Sequence, residues 1–422
     1  MDLLQAFLFS VLLLILLFAV GFAIFIIVSG SIKKRGRIAR GLNMELFLIL
    51  VPQDEYLAES SQKPKTDKEW VQPMEQLYSV FSAMVEKGNW RIFEFGQPYL
   101  VWEIAYVDDE IRFYVSVPAR YREMLKRAVH SVSPEAVIEP VPDYNIFTPA
   151  ENGGGVAASY VMTSRNSFLP VRTYQTLDID PLSEILTHFS KLNPGESAVM
   201  QLLMRPTNKK FNRLALKITK KMQEGMSFEK AYHDAVKAVI VPHKVKQEKV
   251  NPVLTPQDQE TIKAIESHAT KQNFEANIRL VASAPTEERA QLILTDFESA
   301  FNQFNSPNLN SFSRSPEKLR EVIFEFSFRL FDEKRKITLS SEEIASIYHL
   351  PHTGLKVPKI KWLKARAAPA PWGMNDGPYL GWNEYRSQQT IVRIASEDRR
   401  RHVYISAKPA PVSPLCFKKI FD

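Results

Sequence analysis

The stretch Leu100-Val101-Trp102-Glu103-Ile104-Ala105-Tyr106, followed by Asp108-Asp109-Glu110 and then Ile111-Arg112-Phe113-Tyr114-Val115-Ser116-Val117-Pro118, decides how the chain is read. In its second half Ile111, Phe113, Val115 and Val117 alternate with Arg112, Tyr114 and Ser116, the two-residue period of a half-buried strand. The acidic triplet sits where a hairpin needs a polar turn, and that reading outweighs one as paired carboxylates. Working outward, Met44–Val51 reads as a strand and Trp70–Lys87 as an amphipathic helix. Pro118 opens a second helix to about Val132, an accepted place for proline. Val137–Val141 closes the set. The order is βαββαβ, the ferredoxin-like plan.

The plan recurs. Val156–Met162 is strand-like, Pro181–Leu192 helical and Ala198–Arg205 a strand, followed by helical stretches at Asn208–Val239 and Pro256–Lys271. Ala276–Ala282 then reads as a strand, Thr286–Phe304 as a helix, and Val322–Leu330 as an alternating strand. The expectation is an α+β chain. Residues 1–31 form an anchor, 32–150 one ferredoxin-like module, and 151–335 a second with a helical insertion at 207–272. A short helix and basic, proline-containing linker occupy 336–375, and the first strands of an incomplete ATPase domain occupy 376–422.

A length of 422 residues suggests two or three domains, and 45% apolar with 24% charged residues excludes a disordered chain. The single cysteine, Cys416, excludes an internal disulfide framework and a cysteine-built metal site. The net charge of +7 is compatible with anionic partners, nucleic acid or lipid headgroups.

Leu3–Val28 is apolar apart from Gln5, Ser10 and the small Gly21. At about 1.5 Å per residue it spans a hydrocarbon core of roughly 30 Å. Lys33, Lys34, Arg35, Arg37 and Arg40 follow it, and only Asp2 precedes it. The positive-inside rule predicts one span with the N-terminus outside and the bulk of the chain in the cytoplasm. A cleaved signal peptide needs a basic start and a shorter apolar core.

Candidate contacts to nucleic acid or anionic lipid are Lys209, Lys210, Arg213, Lys217, Lys220 and Lys221 on one predicted helix face, and Lys359, Lys361, Lys364 and Arg366 in the linker. A solvated face is the commoner meaning of such a run. His349 and His352 straddle Pro351 and share no helical face, so no metal site is expected there. Gly153-Gly154-Gly155 leads into a strand and reads as a loop, not a phosphate cradle. No G-x-S-x-G elbow is present. No catalytic residue, cofactor or metal is assigned.

Five strings carry a family resemblance: Glu110–Pro118, Asp143-Tyr144-Asn145-Ile146-Phe147, Arg279-Leu280-Val281-Ala282-Ser283-Ala284, Lys359–Arg366, and Glu397-Asp398-Arg399-Arg400-Arg401-His402. In these the chain resembles the N-terminal region of membrane-anchored conjugative DNA-transfer ATPases, the coupling-protein-like members of the type IV secretion and HerA–FtsK superfamily. The resemblance implies a membrane-tethered front region of a ring-forming translocase in a bacterial inner membrane, with DNA and secretion-channel proteins as partners. ATP and Mg are implied only for an intact parent. In that family the last string, here Glu397, Asp398, Arg399, Arg400 and Arg401, is the turn that feeds the Walker A loop.

This chain departs there, because Ser406–Phe417 is proline-rich and spells no Walker A loop. Joining each codon's third base to the next codon's first two, permitted codons read Gly-Lys-Thr-Gly-Thr-Gly-Lys-Ser-Thr-Leu-Phe across the same residues. That string fits G-x-x-x-x-G-K-[ST]. The expectation is a shifted reading frame at Ser406. The alternative is a complete, non-enzymatic membrane scaffold.

Overall fold

The computed structural model describes residues 3–53, 65–147, 154–208, 210–240, 254–315, 317–363, 370, 376–385 and 388–394. The chain divides into two units, Met1–Trp362 and Leu363–Asp422.

The first unit begins with α1 (Leu3–Leu42), 40 residues without interruption. Its stretch from Val11 is long and apolar enough to cross a membrane and is not buried against protein. One residue later the chain enters β1 (Met44–Leu50). There follow α2 (Asp67–Val80), α3 (Asn89–Phe95), β2 (Leu100–Val107), β3 (Glu110–Pro118), α4 (Arg122–Val132) and β4 (Val137–Pro140). The second half continues with β5 (Gly155–Thr163), α5 (Pro181–Ser190), β6 (Ser197–Pro206), α6 (Lys210–Gln223), α7 (Phe228–Ile240), α8 (Pro256–Thr270), β7 (Asn273–Ala284), α9 (Glu287–Ala300) and β8 (Phe312–Ser315). The unit closes with α10 (Leu319–Ser327), β9 (Ile337–Ser340) and α11 (Ser341–Ile347).

Local chemistry explains the boundaries. Asp108 and Asp109 adopt φ of 52° and 60° between β2 and β3, the left-handed pair that a two-residue hairpin turn requires and that aspartate tolerates. Thr66, Thr255 and Ser340 open α2, α8 and α11 with reciprocal capping boxes to Glu69, Asp258 and Glu343.

The strands form one nine-stranded sheet in the order β4-β1-β3-β2-β6-β7-β5-β8, and β9 pairs with β7 beside it. Every ladder is antiparallel. Each half has its first strand between its third and fourth and its second strand at the seam, so β2 and β6 join the halves. One face carries the main apolar core around Trp102, Phe113, Leu202 and Leu280, packed with residues of α2, α5, α9 and α11. The insertion α6–α8 has its own core, including Ile218, Ala231 and Ile265, seated on Phe168 and Leu169.

One expectation about elements is corrected. Val322–Leu330 is not a strand: α10 occupies most of it, and β8 supplies the edge strand instead. The two halves share one sheet, because ten-residue β6 pairs along both β2 and β7.

In the second unit β10 (Tyr379–Tyr385) pairs antiparallel with β11 (Gln388–Arg393). The expected partner strand at 403–405, the turn Glu397–Arg401 and the tail from Ser406 lie outside the described residues.

Candidate functional site

A polar row crosses the face of the sheet opposite the main core. Glu103, Gln201, Arg279 and Tyr160 stand directly opposite one another on β2, β6, β7 and β5, and all four are fully buried. Gln201 Nε2 donates to Glu103 Oε1 at 2.7 Å, Arg279 Nη1 to Gln201 Oε1 at 2.8 Å, and Arg279 Nε to the Tyr160 hydroxyl at 2.6 Å. Arg329, just past α10, closes one end by donating to Glu103 at 2.9 and 3.1 Å and pairing with Asp143 at 2.7 Å. Burial alone would lower the Arg329 pKa, but Glu103, Asp143 and Tyr144 outweigh it and push it well up. At the other end Tyr160 donates to Glu325 of α10, and Glu325 pairs with Arg37 of α1 at 3.3 Å. Buried charges in such a row persist because each is paired.

The row therefore begins on the helix that carries the apolar span. The base of that helix is seated by close backbone approach: a Cβ on Gly36 would strike the Glu94 carbonyl, and one on Gly41 the Phe328 carbonyl. Arg40 donates to the Phe95 and Gly96 carbonyls, both at 2.9 Å, and pairs with Glu86 at 3.2 Å. Arg120 and Arg91 reach the same carboxylate at 3.2 and 3.1 Å. Burial would raise the Glu86 pKa, yet Arg120 and Arg40 hold it below the usual range.

A second buried cluster lies at the start of α5. Asp180 caps that helix, its Oδ1 accepting the Leu182 N–H at 2.8 Å. Its Oδ2 meets His349 Nε2 at 3.1 Å and His352 Nε2 at 2.7 Å. The fold thus brings a carboxylate 169 residues before His349 onto two histidines that share no helical face. The three offer one ligand atom each within 4.8 Å of one another. The rings' outer nitrogens decide the chemistry. His352 Nδ1 accepts the Gly354 N–H at 3.1 Å, so its Nε2 carries the proton it donates to Asp180 and has no lone pair for a metal. His349 Nδ1 faces the Ala345 carbonyl at 3.0 Å, so both its nitrogens face oxygens. The cluster is a proton-held clamp between α5 and the segment after α11. A cavity of about 300 Å³ adjoins it, lined in part by Trp70, Met74 and His352. Trp70 stacks on the His352 ring at 5.1 Å.

The sequence candidates are scattered. Lys210, Arg213, Lys217 and Lys220 are exposed along α6, whereas Lys221 pairs with Asp234 at 2.6 Å. Lys359 Nζ donates to the Tyr106 hydroxyl at 2.7 Å and the Leu192 carbonyl at 2.8 Å, and Lys361 pairs with Glu110 at 2.8 Å. Those two linker cations hold the linker onto the sheet, where Ile360 bridges Ile111. Lys209, Lys364 and Arg366, like Glu397–Arg401, lie outside the described residues. Sequence reasoning missed the polar row, whose only signal was a charged or amide residue within three strands, β2, β6 and β7, that otherwise read as largely apolar.

Residues 57–363 match the family described as Domain of unknown function (DUF8128), which is most of the chain, and the protein belongs to that family. It matches no curated protein.

Proposed function

We propose that this DUF8128 protein is a membrane-anchored assembly platform, the non-catalytic front region of a translocating ATPase of the conjugative DNA-transfer kind. On this reading α1 spans a bacterial inner membrane with its N-terminus outside, and the sheet lies in the cytoplasm. The two halves of the sheet act as paired ferredoxin-like modules, a reading supported by their shared strand order and by the helical insertion between β6 and β7. The five strings running from Glu110 to His402 support the translocase assignment. ATP and Mg belong to the motor region of the intact parent, and a ring of copies is its expected assembly.

The observation that carries the platform reading is the unbroken passage of α1 from its apolar span into the polar row, through Arg37 and Glu325. A helix whose last turns are wedged by Gly36 and Gly41 transmits position and tilt from bilayer to sheet without a hinge.

The test is binding of single-stranded DNA by the full chain in detergent over a salt series. Strong binding that weakens steeply with salt supports a translocase front region. Salt-independent or absent binding, in a chain that still floats with vesicles, leaves the scaffold reading and removes the DNA-transfer one. Reading the coding DNA across codons 405–417 tests the shifted Walker A string independently.

A further inference from the structure

Between Gly88 (φ 132°) and Gly96 (φ 75°) the chain forms α3, a two-turn helix no core residue requires. Its neighbourhood is exposed and mixed in character: Trp90 is 67% and Val85 51% exposed, with Lys87 and Arg91 beside them. What fixes its meaning is its register on α1. The Lys33 ammonium lies over the Phe93 ring at 4.8 Å, the Glu94 carbonyl sits against Gly36, and Arg40 holds the carbonyls of Phe95 and Gly96. Numbers rise together along the two helices, so α3 descends beside α1 and Trp90, stacked on Phe93 at 5.7 Å, is at its upper end.

The height follows from helix geometry. Lys33 is five residues past Val28, where the apolar run stops, hence about 8 Å below the hydrocarbon edge at ~1.5 Å per residue. The headgroup layer is roughly 5–8 Å thick on each side. Trp90, above Phe93, therefore reaches that layer, where tryptophan and basic residues are enriched.

We infer that residues 85–93 form a foot that inserts Trp90 into the headgroup layer of the bilayer crossed by α1, with Lys33, Lys34 and Lys87 facing lipid phosphates. The inference rests on reading α1 as a membrane span. The occupant is lipid rather than a partner protein because the foot is continuous with the span: the same helix that leaves the bilayer holds it. Its consequence is mechanical. A second contact with the surface, beside the span, sets the tilt of the sheet relative to the membrane, which a single helix leaves free.

The experiment uses the full chain reconstituted in vesicles, with lipids brominated near the headgroup as quenchers of tryptophan fluorescence. The wild type is expected to be quenched, and Trp90→Phe to lose the Trp90 share of that lipid-dependent quenching, the other five tryptophans, exposed Trp382 among them, being common to both chains. A chain that floats with vesicles but shows equal lipid quenching in wild type and Trp90→Phe keeps the span and overturns the foot. A chain left in the aqueous fraction removes the span reading itself, and the foot falls with it.

Discussion

Gln201 donates its side-chain amide to Glu103 at 2.7 Å across the β2–β6 seam, and its oxygen accepts from Arg279 at 2.8 Å. One neutral amide thus joins a buried anion to a buried cation at the line where the two halves of the sheet meet. The orientation of the amide is set by both neighbours, because only its nitrogen can face Glu103 and only its oxygen Arg279. The same pair welds the halves and continues the chain of bonds that begins at Arg37 on α1.

Substitution at the seam should destabilise in a fixed order. Gln201→Leu leaves Arg279 Nη1 and one Glu103 oxygen without this bridge and is expected to lose about 2–3 kcal/mol. Glu103→Gln removes the fully buried charge paired with half-buried Arg329 and is expected to lose more, about 3–5 kcal/mol. Urea unfolding followed by tryptophan fluorescence gives both values. The reverse order would mean that Asp143 alone neutralises Arg329.

Gly36→Ala should separate α3 from α1 without unfolding the sheet. The added methyl meets the Glu94 backbone, which cannot swing aside as a side-chain end would. The expected result is faster amide exchange over residues 85–96 with the sheet's protection unchanged. Slower or equal exchange there would show that the close approach tolerates a Cβ.

Much of this fold was legible because two signals are local. Alternation found β3, and the acidic pair found its turn, where both aspartates take left-handed φ. The same rule failed at Val322–Leu330, where Val322, Phe324, Phe326, Phe328 and Leu330 alternate as a strand would. A four-residue period competes there: Val322 and Phe326 are buried, Phe324 and Phe328 pack at 4.9 Å, and Glu325 and Arg329 both reach the polar row. That period wins over Leu319–Ser327, where Phe324, which a strand would put on the same face as buried Val322 and Phe326, is exposed; Arg329 follows the helix with a left-handed φ of 50°. The candidate sites were less legible. Nothing near Asp180 in sequence announces His349 and His352, and the basic linker residues read as free charges until Lys359 and Lys361 are seen on Tyr106 and Glu110.

Replacing Lys210, Lys217 and Lys220 by glutamate should leave stability within about 0.5 kcal/mol, because these side chains are exposed on α6. If α6 contacts the backbone of single-stranded DNA, the slope of log K against log salt should fall by about 2 for three lost phosphate contacts. An unchanged slope would place the DNA contacts elsewhere or remove them.

Acid should loosen the clamp around Asp180, and the sign follows from its members. Burial lowers the His352 pKa and the neighbouring His349 lowers it further, with Asp180 and Asp67 only partly offsetting this. The folded protein therefore holds His352 neutral where the unfolded chain, with its ordinary pKa of about 6.5, already binds a proton. Stability contributed by His352 is present above about pH 6.5 and falls as pH drops toward its lowered folded value. Burial would raise the Asp180 pKa, but His349 and His352 hold it far below the usual carboxylate range. Its contribution is present above about pH 3.9 and is lost only in stronger acid. His352→Gln can still donate to Asp180 but does not titrate. The gap in melting temperature between wild type and His352→Gln should therefore narrow between pH 7 and pH 5. A gap that stays constant would mean that the folded His352 ring protonates as readily as the unfolded one. Chelators should leave both melting temperatures unchanged, because the proton on His352 Nε2 occupies the direction a metal would need.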